Sequence, residues 1–343
     1  MWMLFSQENV FDQLIKGVDF SGSIFVKQDE KEFKLSSGYA NRVEERLNKV
    51  NTRFGIASGC KLFTAIGIAQ LVEKKQLSFK TKLRDCLNVS FPHFDPNITI
   101  HQLLTHTSGI PDYFDEAVME DYENLWKQTP MYLLKSLQDF LPLFQNGEMI
   151  ASPGKAFHYN NAGYIVLGLI IEQQTGMAFQ HYIEENVFKP AHMNDSGYFS
   201  LDRLPQNTAL GYIDEDDGSW RTNTYAIPIV GGSDGGAYVT APDMVKLWEA
   251  LIDFQLLSKR SIGQLFTPHV DVKEGISYGY GMWMNTRNNR IVKYHVMGYD
   301  PGVSFHSAYY PDSGCKLAIP SNHSDGAYQV MKEMEEMLHL IGT

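Results

Sequence analysis

Apolar and polar positions change their period several times along the chain, and each change marks an element. Two strand-like halves between Ser23 and Tyr39 flank the polar stretch Gln28-Asp29-Glu30-Lys31, which predicts a β-hairpin. Ahead of it, Val10 to Ile15 read as a short amphipathic helix. From Leu62 to Val72 the pattern is apolar almost all round, the signature of a buried helix. That helix ends near Lys74-Lys75, where cations complement the C-terminal dipole. Residues Asp95 to Phe188 read as mostly helical, with loops at Thr105 to Pro111 and at Ser152-Pro153-Gly154. One helix follows Asn161 and stops at Gly176, and another stops before Pro190. Asp216-Asp217-Gly218 is a turn between short strands, and Thr240-Ala241-Pro242-Asp243 caps a helix running through Leu251. The period then falls to two, predicting strands at Tyr278–Thr286, Ile291–Met297, Val303–Tyr310 and Lys316–Pro320. A closing helix, Ala327 to Leu340, puts Val330, Met331, Met334, Met337 and Leu338 on one face. Short connections favour antiparallel neighbours. The pattern therefore predicts an α+β protein: an antiparallel sheet built from both chain ends (1–62 and 215–343), with a mostly helical insert over 63–214.

A length of 343 residues is ample for a large core or two domains. The net charge of −11, without a basic stripe, argues against nucleic acid as a partner. No apolar run is long enough to span a membrane. The N-terminus lacks a basic segment followed by a sustained apolar one, so the expectation is a cytoplasmic protein without a signal peptide. Cys60, Cys86 and Cys315 form no Cys-x-x-Cys unit and suggest no disulfide framework, which also fits a reducing compartment.

The candidate chemistry starts at Ser58-Gly59-Cys60-Lys61, directly before the apolar run. A serine followed three residues later by an acid is a helix capping box. Lysine in that place has the wrong sign for the helix dipole. Burying an amine favours its neutral form, and such an amine one turn from a serine hydroxyl can activate it as a nucleophile. The same spacing at Ser152–Lys155 and Ser313–Lys316 falls in turns, so only Ser58 shares a helix face with its lysine. Cys60 lacks a histidine partner, and the glycine at 55 is one residue too far from Ser58 for a Gly-x-Ser-x-Gly elbow. His101 and His106 have no His-Glu-x-x-His spacing and read as structural, so neither a metal nor a cofactor is expected. By itself, Tyr159-Asn160-Asn161 is a loop aromatic followed by Asn161 as a helix N-cap. His295 to Gly302 is a strand end and a turn.

In this order, Ser58-x-x-Lys61, Tyr159-x-Asn161 and the His295–Gly298 segment resemble the serine β-lactamase and penicillin-binding-protein superfamily, in particular its class C β-lactamase-like branch. His101 to Gly109 and Gly231-Gly232-Ser233-Asp234-Gly235-Gly236 resemble the branch as well, and the likeness runs from Ser23 to about Tyr328. The resemblance implies the serine β-lactamase/D,D-peptidase-like fold, with the active site between sheet and helical parts. It implies Ser58 as the nucleophile that forms an acyl-enzyme and Lys61 as its proton shuttle. Tyr159, its phenol pKa lowered by nearby cations, would be the general base. Asn161 would orient Lys61 and the substrate amide, and the N–H groups of Ser58 and Tyr299 would form the oxyanion hole.

The third motif departs from the family pattern. With Gly298 as its glycine, Val296 and Met297 fill the cationic and hydroxyl places; alternatively His295 is the cation and a bulge absorbs one extra residue. Either arrangement lacks the lysine that binds a substrate carboxylate, and Lys293 does not fit the spacing. The expectation is a serine hydrolase acting on a small ester or amide. A D,D-peptidase, a D-aminopeptidase or a weak β-lactamase is the alternative within the enzymes. A penicillin-binding-like or silent binding module is the alternative outside them.

Overall fold

The computed structural model describes residues 17, 18 and 20–340, so the helix expected at Val10–Ile15 lies outside the described residues. Eight strands form one antiparallel sheet: β1 (Gly22–Gln28), β2 (Lys31–Ser37), β3 (Val270–Lys273), β4 (Ile276–Tyr278), β5 (Trp283–Arg287), β6 (Arg290–Asp300), β7 (Val303–Tyr310) and β8 (Cys315–Ser321). Their order is β2-β1-β8-β7-β6-β5-β4-β3, so the N-terminal hairpin pairs with the last strand. Central strand β8 is buried along its whole length because helices cover both faces. Ala318 faces one core and Leu317 and Ile319 the other.

On one face lie α1 (Lys61–Glu73), α2 (Asn161–Thr175) and α3 (Ala241–Ile252). Thr240 caps α3 by accepting the Asp243 N–H, and Trp248 Nε1 on α3 donates to Ser307 on β7 at 2.9 Å. On the other face α4 (Ala327–Met337) places Val330, Met331 and Met334 against Ile24, Val26, Ala308 and Ile319. Fully burying such side chains stabilises the fold by about 1.5–3 kcal/mol each.

Two expectations of local structure are corrected. Residues 95–188 are less helical than their composition reads: apart from α2 and the contiguous helices Phe179–Ile183 and Glu184–Phe188, which stop before Pro190 as expected, the α-helices there are single turns such as Ile100–Leu104 and Leu125–Gln128. The polar and Pro/Gly-containing stretches around Gly109, Pro130 and Gly154 break the chain into loops. The strand expected over Tyr278–Thr286 is interrupted at Gly279-Tyr280-Gly281. Gly281 has φ +75°, and a Cβ there would meet Lys61 O at 2.8 Å, so this turn lies directly on the start of α1.

Candidate active site

Ser58 sits in a single tight turn, Ala57–Cys60, that feeds into α1. Ala57 holds φ +44°, an unfavourable conformation for a residue with a Cβ. The turn is fixed from outside: Ile56 N donates to Ala237 O at 3.0 Å and Gly236 N to Ala57 O at 3.3 Å. From the sheet side, β6 presses on it at Gly298, where a Cβ would lie 2.7 Å from Ser58 N. Beneath Gly59 lies the ring of Phe305 on β7.

One turn on, Lys61 is 1% exposed. Its Nζ lies 2.8 Å from each of Ser58 Oγ, Asn161 Oδ1 and the backbone oxygen of Asp234. It also stands over the rings of Tyr159 at 4.9 Å and Tyr164 at 5.6 Å. Asn161 is not the helix cap. Asn160 takes that role, its Oδ1 accepting Gly163 N at 2.7 Å, and this leaves the Asn161 side chain for Lys61. The Asn161 amide orientation is set by its Nδ2 donating to Asp112 Oδ2 at 3.3 Å and to Phe114 O at 3.2 Å. Asp112 also receives the N–H groups of Asn161 and Ala162, at 2.7 and 2.8 Å.

Tyr159 stands beside the Ser58 hydroxyl, its ring 4.4 Å from that of His106 and stacked on Trp283. Burial pushes its phenol well above the ordinary range, and the Glu116 carboxylate adds to the shift. The expected lowering by cations is therefore reversed, because the carboxylates act with burial. His106 is buried, with Nδ1 accepting the Asn160 N–H at 3.0 Å, and His101 Nδ1 is 2.9 Å from the Tyr280 hydroxyl. Among the described residues no three His, Cys, Asp or Glu gather as a metal site. Cys60 is fully buried, which drives its thiol up to about 12, so it is no competing nucleophile.

The third motif resolves against His295. The β6–β7 register runs without a shift from Tyr294↔Tyr309 to Asp300↔Val303, so no bulge absorbs the extra residue. His295 and Gly298 are three apart on a regular strand and face opposite sides. Gly298 faces the Ser58 turn, whereas His295 is 8% exposed beside Lys293 and His306 and is held neutral by burial and those neighbours. Lys293 shares its face and pairs with Glu335 of α4 at 2.7 Å. Val296, in the cationic place, is buried in the core, and Met297 borders the cleft. Tyr299 is 47% exposed at the cleft edge and is hydrogen-bonded to His306.

A cleft of about 990 Å³ opens onto Ser58, lined also by Tyr159, Asn161, Gly298 and Tyr299. Four further residues belong to this site without having been singled out from the sequence. Asp234 supplies a carbonyl to Lys61 and hydrogen-bonds the Tyr113 hydroxyl through its carboxyl group. Asp112 fixes Asn161, and Asp300 lines the cleft at the end of β6. Asp112 and Tyr113 follow the Ser108–Pro111 loop, Asp234 lies in the family-like Gly231–Gly236 segment and Asp300 in the His295–Gly302 turn, but no spacing there marks these groups for the site.

The chain shares 30% identity with penicillin-binding protein 4* of Bacillus subtilis (strain 168), over 96% of this chain and 75% of that protein. The crystal structure of a penicillin binding protein from Bacillus halodurans has 55% identity and a TM-score of 0.92, covering 94% of this chain and 98% of that one. The D-amino acid amidase from Ochrobactrum anthropi SV3, in complex with L-phenylalanine, has the same fold at a TM-score of 0.78, with 21% identity and 96% of each chain covered. The Beta-lactamase family model matches residues 10–334, almost the whole length, and the chain belongs to that family of serine hydrolases.

Proposed function

We propose that this protein is an acyl-transferring serine hydrolase of small amides or esters, with Ser58 as nucleophile. The observation that carries this reading is the Lys61 amine, buried beneath the cleft and 2.8 Å from the Oγ of Ser58, which lines it. Asn161 Oδ1 and Asp234 O accept two of its N–H groups. The remaining position faces a hydroxyl that can donate its proton to an amine. Ser58 Oγ then attacks the substrate carbonyl while its proton passes to Lys61. Tyr159, a neutral phenol beside Ser58, gives its proton to the leaving group and regains one from Lys61. Water releases the acyl group by the reverse route, and the proton returns to Ser58.

The developing oxyanion has two candidate donors. Ser58 N lies against Gly298. Asp300 and Val303 flank the two-residue turn Pro301-Gly302, so they form a hydrogen-bonded pair, and alternation aims the Tyr299 N–H away from β7. On that side β5 ends its pairing at His295, which leaves the β6 edge free for substrate. Two fixed N–H donors at this edge would stabilise the tetrahedral intermediate.

An active-site fluorophosphonate tests the reading. Modification of Ser58 in wild-type protein, and none in Ser58→Ala, is expected; an unlabelled Ser58 in folded protein refutes it. Turnover of a p-nitrophenyl ester, a D-alanyl peptide and a chromogenic cephalosporin then divides esterase, peptidase and β-lactamase activity. A silent binding module would label slowly and turn over none of the three.

A further inference from the structure

Tyr159 donates the leaving-group proton in the reaction above, yet nothing in its own segment fixes it: residues 156–160, just ahead of α2, form neither helix nor strand. The loop around His106 holds that segment instead, and His106 binds the residues on either side of the tyrosine. His158 N donates to the His106 carbonyl at 2.8 Å, and Asn160 N donates to His106 Nδ1 at 3.0 Å. The His106 ring then lies against Tyr159, with 4.4 Å between ring centroids. Tyr164 and Tyr278 close on it at 5.1 and 4.8 Å, and Phe157 meets it edge-on at 5.6 Å.

His106 has φ +55°, a conformation that costs a residue with a Cβ and persists only where the surroundings impose it. An Nδ1 that accepts a hydrogen bond carries no proton, so the neutral ring keeps its proton on Nε2, which is buried without an acceptor among these rings. Burial and the Lys61 charge keep a second proton off the imidazole. A charged ring would lose the Asn160 bond and set a cation beside Lys61. His106 does not border the cleft, so it reaches the chemistry only through Tyr159. We propose that His106 is a positioning residue for the reaction: as a neutral imidazole protonated on Nε2, it sets the place and tilt of Tyr159 so that the phenol serves both Ser58 and the leaving group. This rests on the acyl-transfer reading and adds a residue to it.

Two acetates of similar size separate this role from simple packing. p-Nitrophenoxide leaves without a proton, whereas the alkoxide of p-nitrobenzyl acetate must be protonated as it departs. His106→Ala is expected to lower acylation about 10²-fold with the benzyl ester and under about fivefold with the phenyl ester. His106→Asn, whose Oδ1 replaces Nδ1 as acceptor and which tolerates positive φ, is expected to recover about tenfold with the benzyl ester. In a Tyr159→Phe background, His106→Ala should cost under about threefold with either ester. Equal losses with the two esters, no recovery in His106→Asn, or an undiminished loss in the Tyr159→Phe background overturn the inference. Wild-type protein supplies an independent arm should the variants fold poorly. Nitrogen NMR of its histidine rings should show His106 Nδ1 unprotonated across about pH 5–8, and a proton on Nδ1 there overturns the inference. In each of these cases fluorophosphonate labelling of wild-type Ser58 leaves the acyl-transfer reading standing; failure of labelling overturns both.

Discussion

Gly298→Ala tests how tightly strand β6 and the nucleophile turn share space. The added Cβ would lie 2.1 Å from Ile56 O, 2.7 Å from Ser58 N and 2.8 Å from Gly59 N. All three are backbone atoms of one turn, so no side chain can swing aside. Ordinary carbon contacts need about 3.5–4.0 Å, so strand and turn must separate by roughly 1 Å. The turn is held on its far side by Ala237 O and Gly236 N, and α1 behind it is buried, so the movement falls on Ser58. Overpacking of this kind costs about 1–3 kcal/mol. Misplacing a reacting group by about 1 Å costs about 10²-fold in rate. Gly263→Ala, in the helix Lys259–Leu265, is the control: a Cβ there meets nothing within 4 Å, and a gain of up to ~1 kcal/mol is expected. Urea unfolding and the second-order rate of Ser58 labelling measure both effects. A Gly298→Ala protein with unchanged midpoint and a labelling rate within threefold of wild type would refute the close-approach argument and weaken the case for this edge as the oxyanion site.

Lys61→Arg keeps the charge but cannot release a proton, so acylation should fall about 10²–10⁴-fold; near-normal labelling would remove Lys61 from the proton relay. Lys293→Met leaves the half-buried Glu335 with only the Tyr310 hydroxyl as a partner and should cost about 1–3 kcal/mol. The folded variant should still label at the wild-type rate, and a large loss of labelling would show that Lys293 serves the site after all. Asp300 faces Asp234, Glu116, Tyr122, Tyr238 and Lys61, and burial with the Asp234 charge raises its pKa to about 8. The folded protein thus holds a proton that the unfolded chain releases above about pH 4. This contribution to stability is complete below that pH and is lost as pH rises towards about 8. Asp300→Asn should flatten the decline of unfolding free energy across that window; parallel pH profiles for wild type and variant would contradict the assignment.

The nucleophile was legible in the sequence because its signal is local. Ser58 and Lys61 are one helical turn apart, and the apolar run after them predicts the burial that the structure shows. The hairpin at β1 and β2 and the caps at Thr240 and Gly176 were legible for the same reason, since each depends on a few adjacent residues. Tyr159 and Asn161 were found as a motif, but Asn160 and Asn161 are both good caps, and only the packing of α2 against Asp112 decides between them.

What the tertiary structure alone decided is which way each group faces and what charge surrounds it. His295 stands three residues from Gly298, and only an unbroken β6–β7 register turns it to the α4 side. The pKa of Tyr159 depends on Glu116 and on burial, neither of which is near it in sequence in a way that reveals the contact. Asp234 and Asp300 lie 66 positions apart and meet only because the Gly231–Gly236 loop and the end of β6 close on one cleft. Local backbone preference and hydrophobic period act over a few residues and therefore fix elements and the Ser58–Lys61 pair. The electrostatic character of the site is a sum over distant segments, and it exists only once the sheet has brought them together.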